Sequence, residues 1–120
     1  AIPTMTTDIA FGARNVVHIR VLNDALRTAH ATGETYLTEA LLARGQPFVG
    51  AALAAVRRFG DFTDKNDPYG EHDGAFFDVQ GTRLFFEIDY YDIAGAMLPP
   101  DPADERVTRR VLTIGLAEDY

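Results

Sequence analysis

The chain has 120 residues, of which 47% are hydrophobic and 24% charged, a composition typical of one globular domain. The absence of Cys excludes disulfides, thiolate metal sites and cysteine nucleophiles, and no apolar run approaches the about 20 residues needed to span a bilayer. The net charge is −7, and segment 61–105 alone carries −10, since it holds twelve acidic and two basic side chains. Such a segment repels nucleic-acid phosphates and favours a basic partner, a metal ion or mimicry of a nucleic-acid backbone, unless it is a solvated face without a partner.

Residues 1–4 precede Met5 and look like the remainder of a cloning tag, so the predicted domain spans residues 5–120. A cytoplasmic protein is expected, because the sequence shows neither a membrane-spanning run nor a basic-then-apolar leader. Its first element is a helix between residues 9 and 30 that Gly33 ends. Helical spacing gives this helix an apolar stripe formed by Val16, Ile19, Leu22 and Leu26. The same spacing turns outward the polar side chains of Arg20, Asn23 and Arg27. Asp24 and Arg27 lie three residues apart and are expected to pair on the surface.

Two further helices are predicted before residue 61. After a short extended piece at residues 34–37, Thr38 is a suitable N-cap for a short helix through Ala43. Pro47 is placed in the first turn of the next helix, where its missing N–H costs nothing, and Gly60 ends that helix.

The second half of the chain changes to the period of β-strands. Segments 74–79 and 83–91 flank a hairpin connection made of Gln80, Gly81 and Thr82. Alternation in the second strand predicts a core face of Leu84, Phe86, Ile88 and Tyr90. The other face then carries Phe85, Glu87, Asp89 and Tyr91.

Segment 107–117 is open to two interpretations. Its β-branched run predicts a third strand, whereas the Asp-Pro-Ala-Asp sequence at 101–104 resembles the start of a helix. We take the strand, so the predicted fold class is α+β, with N-terminal helices packed on a C-terminal three-stranded antiparallel meander.

The stretch 66–73 is the richest in chemically competent side chains. Asp67, Pro68, Tyr69 and Gly70 are typical of a β-turn, and the hairpin would place this stretch beside the polar residues of 87–92. We therefore predict one acidic, tyrosine-containing binding surface formed by Asp67, Tyr69, Glu71, His72, Asp73, Glu87, Asp89, Tyr91 and Asp92. For His72 a structural role, locking the turn to the sheet by hydrogen bonds, is the competing interpretation.

Several segments resemble an uncharacterised bacterial family of small proteins, a domain of unknown function often found on plasmids and other mobile elements. The resemblance spans most of the chain from Ile19 and rests on Asn-Asp-Pro-Tyr-Gly-Glu-His-Asp at 66–73, Ile-Asp-Tyr-Tyr-Asp at 88–92, Arg-Val-Leu-Thr-Ile at 110–114 and Leu-Asn-Asp-Ala-Leu-Arg at 22–27. This chain departs from that family at Gly74 and Ala75, where Phe-Gly is usual, and at Glu87, where a Lys is usual. The resemblance implies a mobile-element context and supplies no activity.

The favoured function is a non-enzymatic inhibitor of the anti-defence type, such as an anti-CRISPR or anti-restriction protein, without a cofactor. Its acidic surface would engage a basic surface of a host nucleic-acid-binding complex, and it would contact neither nucleic acid nor membrane directly. One alternative is a small metal-dependent hydrolase with Mg, Mn or Zn ligands from Glu71, His72, Asp73 and Asp89. Another is a dimeric structural or regulatory module with Phe85 and Tyr91 at the interface. The oligomeric state stays open.

Overall fold

The computed structural model describes residues 15–95 and 100–120. Three α-helices are present in these two ranges: α1 (Val16–Ala29), α2 (Glu39–Leu42) and α3 (Gln46–Arg58). The strands are β1 (Glu34–Leu37), β2 (Gly74–Val79), β3 (Thr82–Asp92) and β4 (Thr108–Leu116), and a 3-10 helix follows at Ala117–Asp119. The expectations for residues 1–4 and for a helix start near residue 9 lie outside the described residues.

The four strands form one mixed sheet in the order β1-β4-β3-β2. β3 pairs antiparallel with both β2 and β4, as the predicted meander requires. The prediction of a purely antiparallel three-stranded sheet is nevertheless wrong, because β1 pairs parallel with β4, with Glu34 opposite Val111. β1 lies between α1 and α2, and the 3-10 helix follows the last strand, so the helices do not all precede the sheet.

One face of the sheet is covered by the helices, and the core lies between them. Helical core residues are Leu26 of α1, Leu41 of α2, and Phe48, Ala52 and Val56 of α3. The sheet contributes Phe77, Val79, Leu84, Phe86, Ile88, Leu112, Ile114 and Leu116. The predicted core face of β3 is therefore correct, and segment 107–117 is a strand rather than a helix. We call the opposite sheet face, which carries Phe85, Glu87, Asp89 and Tyr91 from β3, the open face.

The C-terminal end of α1 differs from the prediction. The helix stops at Ala29, and His30 adopts a left-handed conformation with φ 56°, while the N–H of Ala31 donates to the Ala25 carbonyl. Gly33 does not end the helix but is required by packing, because a Cβ there would lie 2.2 Å from the Arg110 carbonyl oxygen. This glycine allows the chain to pass close to β4.

The predicted outward positions of Asn23 and Arg27 on α1 are also wrong, because both side chains are buried. Arg27 does pair with Asp24 at 2.9 Å, but its Nη1 also donates to the carbonyls of Val56 and Phe59, both at 2.8 Å. A guanidinium in this position satisfies carbonyls that α3 leaves open at its C-terminus and complements the helix dipole. Arg27 therefore joins α1 to α3.

The predicted caps and turns are otherwise close to the structure. The Thr38 hydroxyl accepts a hydrogen bond from the N–H of Leu41 at 3.2 Å, and Pro47 lies in the first turn of α3. The β2–β3 hairpin turns on Gln80 and Gly81 alone, with φ 51° and 83°, and Thr82 already pairs with Val79. Positive φ at both central residues is the signature of a type I′ turn. No helix in the described part of the chain has the length and hydropathy needed to cross a membrane.

Candidate functional site

The turn at 67–70 forms as predicted and is held against α1. The N–H of Gly70 donates to the Asp67 carbonyl at 3.1 Å, and Gly70 has φ 72°. Arg20 of α1 donates from Nε to the Gly70 carbonyl at 2.7 Å. Tyr69, at the tip of the turn, is 78% exposed. The turn therefore presents one aromatic ring to solvent while its backbone is fixed to the helix.

Beneath this turn lies a buried polar network centred on Asn23. Its Nδ2 donates to the Tyr90 hydroxyl at 2.8 Å and to the Glu71 carbonyl at 3.0 Å, and its Oδ1 accepts from Nε of Arg110 at 2.6 Å. The Tyr90 hydroxyl in turn donates to Oε1 of Glu71 at 2.8 Å. Arg110 also donates from Nη2 to the Pro102 carbonyl, and its guanidinium lies over the Tyr90 ring.

Burial controls the ionisation of this network. It raises the pKa of the Tyr90 hydroxyl, which therefore stays protonated as a donor, and it lowers the pKa of Arg110. Glu71 is only 4% exposed and lies on the helix-covered side with Tyr90. The network joins α1, the 66–73 stretch, β3 and β4, so its geometry is that of a structural lock.

His72 also faces the fold. Its ring stacks on Phe62 with centroids 3.8 Å apart, and Nδ1 lies 2.9 Å from Oδ1 of Asp24. The backbone N–H of His72 donates to Oδ1 of Asp67, and Asp67 is only 8% exposed. The residue has φ 56°, a conformation that a non-glycine residue adopts only when its surroundings hold it there. These contacts give His72 a structural role, as in the competing interpretation, but they tie the turn to α1 and Phe62 rather than to the sheet.

The open face carries a different group of carboxyls. Burial raises the pKa of Glu87. The charge and hydrogen bond of the neighbouring Asp89 raise this pKa further, and so does the charge of Asp73. Asp73 lies at the start of β2, where its carbonyl accepts from the N–H of Ile88 at 2.7 Å. Tyr91 follows on the same face and is 49% exposed. Mutual repulsion of these carboxyls makes the surface a favourable site for a cation.

Beside Glu87 the open face forms a groove of about 400 Å³. Its walls are Lys65, Asn66, Asp73, Gly74, Ala75, Phe76, Phe85, Phe86, Glu87 and Tyr120. Tyr120 packs edge-on against Phe85 and Phe76, with ring centroids 5.0 and 5.3 Å apart. A Cβ at Gly74 would lie 2.9 Å from the Phe86 carbonyl oxygen, so the glycine allows β2 to begin this close to β3. We call this the acidic groove.

At the other end of the open face a salt bridge is surrounded by tyrosines. Arg109 binds Glu34 through two hydrogen bonds of 2.6 and 3.1 Å, and its guanidinium lies over the Tyr91 ring. The hydrogen bonds from Arg109 and from Tyr36 lower the pKa of Glu34 to about 2. Arg109 therefore supplies the open face with a cation that is already paired.

The structure thus divides the nine predicted surface residues. It brings Asp73, Glu87, Asp89 and Tyr91 together on or beside the open face. It buries Asp67 and Glu71, turns His72 toward α1, and leaves Tyr69 exposed at the turn. Asp92 ends β3 in the alternation of Tyr90, on the helix-covered side.

The residues of the metal alternative do not converge either. Glu71 and His72 bond to Tyr90 and Asp24 on the helix side, whereas Asp89 points to the open face. Within 15–95 and 100–120, no three His, Asp or Glu side chains are grouped so that they could hold a metal ion.

Sequence reasoning missed the aromatic and basic walls of the groove, namely Lys65, Phe76 and Tyr120. For Phe76 the signal was available, because its alternation with Ala75 and Phe77 in β2 turns it away from the core. Tyr120 reaches the sheet because the 3-10 helix at Ala117–Asp119 turns the backbone toward Phe85, and no local sequence pattern predicts that turn.

Comparison with known proteins gives a match at the level of a family. A family model described as "Protein of unknown function (DUF3768)" matches residues 37–119. Neither the curated proteins nor the solved structures gave a significant match.

Proposed function

This chain belongs to the DUF3768 family, whose description states no function, and we propose that it is a non-enzymatic binding protein that presents its open sheet face to a basic protein surface. The observation that carries the proposal is the group of Asp73, Glu87 and Asp89 beside an aromatic-walled groove on the sheet face opposite the core. A carboxyl whose pKa is raised by burial and by neighbouring carboxyls, as that of Glu87 is, gains free energy when a cation approaches. Aromatic rings beside them add apolar contact and attract a guanidinium or an ammonium group.

The partner we propose is a host nucleic-acid-binding complex of a defence system. Such proteins carry basic surfaces shaped for phosphates, and a surface rich in carboxylates can occupy them. The resemblance to small mobile-element proteins supports this choice, since an element that enters a host gains from blocking its defences. On this proposal the chain is an inhibitor of the anti-CRISPR or anti-restriction type acting in the cytoplasm.

The dimer alternative is less well supported by the geometry. Phe85 is buried beneath Tyr120, so its ring is already in contact within the chain. The hydrolase alternative lacks converging ligands among the described residues, as the positions of Glu71 and Asp89 on opposite faces illustrate. The binding function, in contrast, needs no other arrangement of the open face than the one described.

The proposal is tested by capturing partners from lysates of candidate hosts on the immobilised chain at low and high salt. We expect a basic protein to be retained at low salt, to be released by a DNA duplex, and to be lost in the double variant Glu87→Gln with Asp89→Asn. The matched control, Glu39→Gln with Glu105→Gln, removes two exposed carboxyls elsewhere and should retain the partner. Equal retention by both double variants, or indifference to salt, would refute the proposal.

A further inference from the structure

The outer edge of β2 is open to another strand. Among the described strands β2 pairs with β3 alone, and it forms one border of the sheet. In a hairpin with a two-residue turn, Val79 and Thr82 exchange hydrogen bonds, and so do the pairs at every second position. The N–H and C=O of Phe76 and Asp78 therefore point away from β3. Edge groups of this kind pair readily with an extended peptide.

Two grooves run along this edge, one on each side of the sheet. The acidic groove lies on the open face, and a second groove of about 620 Å³ lies on the helix side. The second is lined by Ala55, Arg58, Phe59, Gly60, Asp61, Asn66, Phe76, Phe77, Asp78 and Arg83. Asn66 and Phe76 line both grooves, so the two meet at β2. Successive side chains of a strand alternate between faces, which is the spacing that two such grooves accept.

We propose that the β2 edge takes an extended segment of the partner as a fifth strand, with Lys or Arg side chains directed into the acidic groove. The inference rests on the proposed function and names the form of its ligand. Backbone hydrogen bonds to Phe76 and Asp78 supply affinity, and the grooves supply selectivity.

The lining of each groove defines the side chain that it accepts. Among the described residues that line the acidic groove, Asp73 and Glu87 are carboxyls and Lys65 is basic, so the lining favours a basic side chain. The helix-side groove is lined by two basic and two acidic side chains, Arg58, Arg83, Asp61 and Asp78, and Arg83 is paired with Asp78 at 3.2 Å. Because these charges balance, this groove does not select a charged side chain. The expected ligand therefore carries basic residues at alternate positions, with uncharged residues between them.

A second copy of this chain is a poorer occupant of the edge. Pairing β2 with β2 would bring two acidic grooves together, and like charges on adjacent strands destabilise a sheet. A basic partner strand removes this repulsion.

The test is an NMR titration of the isotope-labelled chain with a peptide of five Lys-Val repeats. We expect shifts concentrated at β2 and the two grooves, with slower amide exchange at Phe76 and Asp78. The same peptide N-methylated at every backbone amide keeps every charge and side chain but can donate no backbone hydrogen bond from either edge. Its affinity should fall by at least about tenfold, because several hydrogen bonds are lost. A Glu-Val peptide should not bind.

A variant of the protein gives an independent reading. Asp78→Pro removes an outward N–H without touching the β2–β3 ladder, and Asp78→Ala removes the same carboxyl but keeps the N–H. We expect the Pro variant to bind the Lys-Val peptide at least about threefold more weakly than the Ala variant. Should the Pro variant prove unstable in a thermal melt, the N-methylated peptide still decides the question.

The outcomes separate this inference from the function on which it rests. If the N-methylated peptide binds as well as its parent, and Glu87→Gln weakens both, the edge pairing is refuted while the acidic surface stands. If Glu87→Gln changes nothing and shifts appear elsewhere, both are refuted. Concentration-dependent dimerisation of the chain through β2, without peptide binding, would also overturn the inference.

Discussion

Replacing Tyr90 by Phe removes one oxygen atom from the buried network and leaves the ring in place. That hydroxyl accepts from Asn23 and donates to Glu71, each at 2.8 Å, and both partners are buried. A buried polar group left without its hydrogen bond costs about 1–3 kcal/mol, and because the Asn23 amide keeps its second bond, to the Glu71 carbonyl, we take about 2–4 kcal/mol for the two losses together. For a domain of this size, each kcal/mol corresponds to roughly 4 °C of melting temperature, and we expect a decrease of roughly 8–16 °C.

Urea unfolding measures this loss, with the free energy taken from the midpoint at an unchanged m value. Tyr91→Phe is the matched control, because it makes the same chemical change on the adjacent residue of the open face. Tyr91 is half-exposed and contacts Arg109 through its ring, which Phe retains, so its change should stay within about 0.5 kcal/mol. Equal effects of the two substitutions would show that the network around Asn23 does not stabilise the fold.

Three further predictions concern the turn and the titrating carboxyls. Gly70→Val should lower the free energy of unfolding by about 1–3 kcal/mol, because Gly70 has φ 72°. The control Gly50→Ala, in an open position of α3, should raise the free energy of unfolding slightly. Thermal melts that show no loss of stability for Gly70→Val would refute the strained turn. The pKa of Glu87 is raised from 4.5, so the folded chain holds this proton more tightly than the unfolded chain, and the resulting stabilisation is present below that value and lost as pH rises through the folded pKa. Glu87→Gln should therefore raise the melting temperature more at about pH 7 than at about pH 4, and an equal shift at both would contradict the raised pKa. NMR titration should place the pKa of Glu34 near its value of about 2 and show it returning toward 4.5 in Arg109→Met; an unchanged midpoint in that variant would rule out Arg109 as the cause.

Local patterns predicted the elements that depend on neighbouring residues. Thr38 caps α2, Pro47 opens α3, and the alternation of β3 separates core from open face, because each depends on residues a few positions apart. The sequence did not predict that β1 belongs to the sheet, because its four residues pair with β4, which lies far along the chain. A parallel pairing of this kind leaves no periodic signal at either end.

In the candidate site, too, some features follow from local sequence and others only from tertiary contacts. The sequence by itself determined that the acidic side chains concentrate in residues 61–105 and that Glu87 and Asp89 share a strand face. Only the tertiary structure decided that Asp67, Glu71 and His72 are turned inward. Asn23 of α1 donates to the Glu71 carbonyl, Asp24 of α1 lies against the His72 ring, and Asp67 accepts from the backbone N–H of His72. A polar residue in a loop can serve as a surface ligand or as a buried lock. The choice depends on which distant groups complete its hydrogen bonds, and the chain must fold before those groups are present.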